Sequence, residues 1–278
     1  MKKRFSFIFI FIFLLSIVGC SRAKITPIKK ENVANTSSML AFNKTTVMKP
    51  YGQSVPVLEY HSITTNKSNL ICISTKKFTE QMKYLKDNGY YTITPTDLYG
   101  YLMGNTPIPK KSVVLAFDDG YENNYTAMFP ILKKYNFKAT VFVVTSFIDK
   151  NHLFLTSKQL LEMDRYGINI ESHTVHHDNL KMISKAKQLK TLTQSKKYLE
   201  KTLNRQINFF AYPYGGYNKS AIDALKKSGY KMAFSTESGW SSKQDGMLSL
   251  HRIWVGPLDS NRVFGNKISN PNYLSQYF

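Results

Sequence analysis

The chain has 278 residues, 42% of them hydrophobic, and its 38 Lys and Arg against 18 Asp and Glu give a formal net charge of +20. Such a charge raises a nucleic-acid partner, but the lysines are spread from end to end rather than packed into one stripe; this argues against nucleic acid and fits attraction to an anionic wall or membrane surface. With two cysteines in the whole chain, a disulfide-stapled fold is excluded, and stability must come from an apolar core.

The first twenty residues, MKKRFSFIFIFIFLLSIVGC, set Lys2, Lys3 and Arg4 ahead of an apolar run from Phe5 to Val18 and end on Gly19–Cys20. A basic start, an apolar stretch short for a spanning helix and a small-residue cleavage site make a secretory signal. The tail SIVGC resembles a bacterial lipobox, in which cleavage leaves an N-terminal cysteine that carries lipid. That resemblance implies Cys20 as the lipidation site and an extracytoplasmic chain, anchored to the cell membrane and facing the wall. Cys72 is then the sole thiol left, so the mature chain has no intrachain disulfide. Residues 21–50 are polar and lack sustained periodicity, which predicts a flexible tether. A single domain over residues 51–278 follows.

In that domain VPVLEYHS (55–62) reads as a strand. TKKFTEQMKYLKDNG places Phe78, Met82 and Leu85 at i, i+4 and i+7 with Gly89 as a stop, an amphipathic helix. YYTIT is a short strand and PTDLYGYLMG a short helix. SVVLAF (112–117) is wholly apolar, as strands inside a parallel sheet are. NYTAMFPILKKY is helical, with Pro130 starting a second segment or kinking the first. ATVFVVTSF, INIESH, INFFAYPYG and YKMAFST are further strands. TSKQLLEMDRYG, a long helix near 184–203 with Leu189, Leu192, Leu199 and Leu203 on one face, and NKSAIDALKKSG alternate with them. Strands alternating with helices predict an α/β fold with a parallel sheet, and six to eight strands suit an incomplete (β/α) barrel. No glycine-rich phosphate loop is present.

In such a barrel the chemistry sits at the C-terminal ends of the strands. Four strand ends carry polar groups: Tyr60–His61, Asp118–Asp119, His173, and Tyr212–Pro213–Tyr214–Gly215. Two adjacent carboxylates repel, so AFDDG raises the question of what neutralises them. In ESHTVHHDNL, His173 and His177 are four apart, and at helical spacing they share a face. One carboxylate and two imidazoles give three ligands with a coordination position left open, the arrangement of a catalytic zinc site. One aspartate then binds the metal, and the other stays free to take a proton from an attacking water. The sequence lacks HExxH, so the metalloprotease pattern is absent.

AFDDG, SHTVHH and AYPYG, in this order and spacing, resemble three successive motifs of the polysaccharide deacetylases, the NodB-homology, carbohydrate-esterase type. The resemblance covers roughly residues 51–255, and VLEYHSI followed by ICISTKKFTEQMKYLKDNGYYTIT is similar to the branch that deacetylates poly-β-1,6-N-acetylglucosamine in bacterial biofilms. It implies a NodB-type (β/α) barrel with Asp118 as general base and Asp119, His173 and His177 as ligands of a divalent metal, zinc first. Thr174 would steady the loop. Pro213, Tyr214 and Gly215 would form a groove wall, the Tyr214 N–H helping to hold the oxyanion.

The chain departs from the family pattern twice. Ala211 stands where an arginine normally orients the base, and Arg252 is the candidate replacement, also counted among the groove residues. Leu250 and His251 are adjacent where the family separates leucine and a proton-donating histidine by one residue, so His61 competes with His251 as donor. Trp240 could stack on a sugar. The expectation is therefore a monomeric, metal-dependent N-deacetylase of an acetylated glycan. Peptidoglycan or chitooligosaccharide deacetylation, xylan O-acetyl esterase activity, and a non-catalytic glycan-binding lipoprotein are the alternatives.

Overall fold

Apolar runs separated by amphipathic helices dictate a parallel sheet inside a helical coat. The computed structural model describes residues 45–64 and 69–276. The expected signal, Cys20, and residues 21–44 of the expected tether lie outside the described residues. Residues 47–50, assigned to the tether by composition, are instead tied to the domain. Lys49 N–H donates to the Ile108 carbonyl, Lys110 N–H donates to the Val47 carbonyl, both at 2.8 Å, and Met48 bridges Pro109. So short a bridge leaves no periodic signature in a sequence.

Seven parallel strands close a barrel: β1 (Val57–Tyr60), β2 (Ser112–Phe117), β3 (Thr140–Val143), β4 (Asn169–Ser172), β5 (Phe209–Ala211), β6 (Met232–Ser238) and β7 (Leu250–Trp254). Each pairs with the next in the chain, and β7 returns to β1 through Leu58 opposite Ile253. The expected incompleteness is thus one strand fewer than eight, in a ring that is nevertheless closed. The short strand Tyr91–Thr92 pairs with the start of β2, and Ser62–Ile63 pairs with Cys72–Ile73 outside the ring. Strands β1 and β2 are buried along their whole length, which is why both read as unbroken apolar runs apart from Glu59.

Seven helices coat the barrel: α1 (Thr75–Asp87), α2 (Pro95–Leu102), α3 (Phe129–Tyr135), α4 (Ser157–Tyr166), α5 (Lys185–Leu203), α6 (Lys219–Lys227) and α7 (Asn261–Ser269). Phe78, Met82 and Leu85 of α1 are fully buried, as their spacing requires. Helices α2 and α4 start with capping boxes, Thr94 with Asp97 and Thr156 with Gln159, which satisfy otherwise orphaned N–H groups. Pro130 lies in the first turn of α3, after a π-helical turn over Asn124–Met128. On α5, Leu192, Leu199 and Leu203 face the core, whereas Leu189 sits at the edge of that stripe and is exposed. Cys72 is buried and free. Among the described residues no helix is long and apolar enough to cross a membrane.

Candidate functional site

The adjacent aspartates avoid each other because the backbone turns between them. β2 ends at Phe117; Asp119 and Gly120 then adopt left-handed conformations, φ 74° and 76°. A Cβ at position 120 would sit 2.9 Å from Val143 Cγ1, so glycine is required there. The turn sends Asp118 toward an arginine and Asp119 toward two histidines.

Asp119 Oδ1 lies 3.1 Å from His177 Nε2 and 3.4 Å from His173 Nε2. His173 Nδ1 is 2.8 Å from the Ala211 carbonyl. A carbonyl only accepts, so Nδ1 carries the proton and a neutral His173 turns its Nε2 lone pair toward Asp119. Asp119 Oδ1 is buried and has no hydrogen-bond partner. Three potential ligand atoms lie within 4.8 Å of one another, one of them a buried carboxylate oxygen without a hydrogen-bond partner, a grouping that suits a cation between them. The donor set, one carboxylate and two imidazoles, fits a divalent metal with a position open to solvent or substrate. Burial pushes the Asp119 carboxyl up, but the two imidazoles more than offset this and hold it well below its usual range. Burial disfavours imidazolium at His173, while the Asp118 and Asp119 carboxylates favour it and win, raising its pKa without a metal.

The expected helical spacing of the histidines is not what aligns them. Residues 174–176 form a turn, with Thr174 and His177 in left-handed conformations at φ 69° and 59°. That conformation is unfavourable for a β-branched residue and persists because its surroundings over-determine it. Thr145 N–H donates to the Thr174 carbonyl and Asp178 N–H to Thr174 Oγ1. Thr191 Oγ1 accepts from Val175 N–H and donates to Asp178 Oδ2. His176 is exposed and takes no part.

Asp118 belongs to a second cluster, inside the barrel. Arg252, fully buried on β7, grips it with both terminal nitrogens: Nη1 to Oδ1 at 2.9 Å and Nη2 to Oδ2 at 2.7 Å. Arg252 Nε donates to the Ser235 carbonyl at 2.8 Å and lies 3.4 Å from Glu59 Oε2. Glu59 Oε1 is 4.0 Å from His61 Nε2, and Glu59, His61 and Asp118 form a further group of converging ligand atoms. Burial raises the Asp118 carboxyl, but Arg252 and then His173 outweigh it and hold Asp118 below its ordinary value. Glu59 moves the other way: burial dominates, Arg252 opposes only in part, and Asp118 adds to the rise. Sequence reasoning passed over Glu59, although it is the one charge in the apolar run VPVLEY and stands two residues before His61, on the same strand face.

Three expected roles need correction. Arg252 is no groove residue: its donors are spent inside the barrel on Asp118, Ser235 and Glu59. His251, next to it on β7, faces the other way and meets Glu237 at 3.1 Å and Asp245 at 3.8 Å, outside both clusters. Trp240 packs beside α7, its Nε1 donating to the Lys267 carbonyl, in a cavity it shares with Ser112 at the N-terminal end of β2. That is the end of the barrel opposite the aspartates.

The remaining rim residues come together. Tyr214 is 67% exposed, and its ring lies 4.5 Å from that of His177. It is left-handed at φ 58°, with Pro213 buried beneath it. Gly215 follows at φ 65°, where a Cβ would meet Thr236 Oγ1 at 2.1 Å. Tyr121, which the sequence did not single out, is kept un-ionised by burial and by the Asp119 carboxylate.

Comparison with known proteins agrees with this geometry. A family profile described as polysaccharide deacetylase matches residues 105–233, a span that holds Asp118, Asp119, His173, His177 and Pro213–Gly215 but not Glu59, His61 or Arg252. YxkH of Bacillus subtilis, which bears a polysaccharide deacetylase name, is 39% identical over 216 residues, 78% of this chain and 76% of its own. The poly-beta-1,6-N-acetyl-D-glucosamine N-deacetylase of Staphylococcus aureus is 33% identical over 178 residues, 59% of this chain; the match spans 61% of that enzyme, less than two thirds. The solved structure of the Streptococcus pyogenes deacetylase PplD in complex with acetate superposes with a TM-score of 0.72 and 34% identity, covering 81% of this chain and 98% of that one.

Proposed function

Because the chain belongs to the polysaccharide deacetylase family, we propose that it hydrolyses the N-acetyl groups of N-acetylglucosamine units in an extracellular or cell-wall polysaccharide, with a β-1,6-linked polymer as the preferred substrate. The observation that carries this reading is the buried, unpartnered Asp119 Oδ1 facing two imidazole nitrogens, beside a separately held Asp118. The similarity to the staphylococcal enzyme supports the choice of polymer.

A divalent ion, zinc by donor set, held by Asp119, His173 and His177 would act as a Lewis acid on the acetyl carbonyl and acidify a water. The other steps belong to the chain. Asp118, kept ionised and oriented by Arg252, takes the proton of the attacking water as general base. His61 delivers a proton to the departing amine, with Glu59 as its buried counter-charge. The N–H of Tyr214, a left-handed residue at the rim, stabilises the oxyanion, and such a donor contributes about 3 kcal/mol. The departure at Ala211 and the shifted last motif at Leu250–His251 favour a glycan-binding protein without activity; the Arg252–Asp118 pair, which orients that aspartate from another strand, supports activity instead.

The test is acetate release from β-1,6-linked N-acetylglucosamine oligomers, chitooligomers, peptidoglycan and acetylated xylan, with metal analysis of the same preparation. Release from the first, with zinc bound, is expected. Glycan retention by a metal-free, inactive protein would return the binding reading. We further propose that the enzyme acts as a monomer tethered outside the cell through lipid on Cys20, a reading supported by the signal and lipobox pattern; Cys20→Ser should abolish palmitate incorporation.

A further inference from the structure

Trp240, released from the active rim, lines a cavity of about 490 Å³ at the opposite end of the barrel. Trp240, Tyr90, Ile268 and Pro271 give it apolar walls; Lys49, Lys110 and Lys111 give it positive charge, and among the described residues no carboxylate lines it. Lys49 is the unusual member. It is 8% exposed. Its stem is buried while its ammonium lies at the cavity, 5.5 Å from the centre of the Trp240 ring. Burial and the neighbouring Lys110 both lower its pKa.

The chain treats its other buried lysine differently. Lys267, 7% exposed, is paired with Asp259 Oδ2 at 2.7 Å and also donates to the Trp254 carbonyl. Like charges gathered at one cavity disfavour one another, and an anion among them relieves that. Lys49, with Lys110 and Lys111 around the same cavity, therefore offers that cavity to an anion. The charge type narrows the choice. An ammonium is a compact point charge suited to phosphate, whereas planar carboxylate recognition favours the arginine fork, and among the described residues no arginine lines the cavity. The volume accommodates a small polyol or one sugar, and the aromatic walls offer it apolar faces.

We propose that this cavity is a binding site, remote from the deacetylase centre, for a phosphate ester on a glycerol- or sugar-sized body, with Lys49 and Lys110 on the phosphate and Trp240 and Tyr90 against the body.

The test is titration calorimetry of the full chain at constant ionic strength with glycerol 3-phosphate, inorganic phosphate and glycerol. Glycerol 3-phosphate should bind with a dissociation constant on the order of 1 mM, more tightly than inorganic phosphate, and glycerol should give no heat. Lys49→Met should weaken binding at least tenfold, and the exposed Lys110→Gln, which carries no folding risk, severalfold. Both should leave acetate release unchanged. Vesicles containing phosphatidylglycerol form the second arm: retention that depends on Lys49 and is displaced by free glycerol 3-phosphate assigns a lipid headgroup, and its absence beside calorimetric binding assigns a soluble ester. Absence of heat with glycerol 3-phosphate, or equal affinity in both lysine variants, overturns the site. Equal affinity for inorganic phosphate overturns the role of the aromatic walls.

Discussion

The two ends of the barrel use the left-handed backbone in opposite ways. Where helices hand over to strands, the left-handed positions are Gly89, Gly104, Asn136, Gly167, Asn204 and Gly229. Glycine and asparagine adopt that conformation at little cost, and it is how helices commonly end. Where strands hand over to loops, the left-handed residues include Asp119, Thr174, His177 and Tyr214. For such residues the conformation costs about 1–2 kcal/mol each. The helix ends are thus built from residues that suit the turn, and the rim is built from residues that suit the chemistry, with the surrounding hydrogen bonds holding them in place. Strain is a better marker of the site here than exposure, since Asp119, His173 and Thr174 are all buried.

The contrast can be broken from either side, and the effects should fall in a definite order. Asp119→Ala or His177→Ala should take acetate release below detection and strip the metal, with the far-ultraviolet dichroism of the fold unchanged; turnover in either purified variant would sink the metal assignment. Below that come the residues that serve the base and the acid. Arg252→Leu leaves Asp118 buried without its cation, so it should lose about 3–5 kcal/mol in denaturant unfolding together with most activity. Glu59→Gln keeps the volume and should lower kcat about 10–100-fold while metal content stays at wild-type level.

Smaller effects sharpen the comparison itself. Tyr214→Gly should relieve about 1 kcal/mol of strain and raise the melting temperature by about 2–4 °C while slowing acetate release. Asn204→Ala should lower the melting temperature by a similar amount and leave the rate alone. Equal rates in both would show that strain at the rim has no functional content. The last effect concerns stability only. Glu171 is buried on β4 and accepts from the Asn208 and Phe209 N–H groups and from Arg205 Nη1. Burial still pushes its pKa up to about 7 from an ordinary 4.5. The folded state then holds the proton more tightly than the unfolded one, so its contribution is complete below 4.5, declines as pH rises to about 7, and is flat above. Glu171→Gln should remove that decline from unfolding free energies measured across the window.

Much of this was legible because it was local. The run SVVLAFDDG carries both a buried strand and the acid pair that ends it, and α1 announces itself through Phe78, Met82 and Leu85. Contacts between distant segments were not legible. Arg252 and Asp118 are separated by 134 residues, and nothing in either segment names the other. β7 was missed because LHRIW places a histidine and an arginine in an apolar strand. Read with two-residue alternation, that strand would have turned His251 away as it turned Arg252 inward. The histidine pair was found by a spacing that suits a helix, yet it works through a strained turn, because Thr174 accepts a conformation its own propensity opposes.

The closing of the ring by β7 has a consequence for biosynthesis. During translation the two aspartates leave the ribosome long before Arg252 does, and until the seventh strand slots between β6 and β1 there is no closed cylinder and no Arg252–Asp118 pair. A nascent or threaded polypeptide that has not yet delivered β7 therefore leaves Asp118 without the guanidinium that orients it.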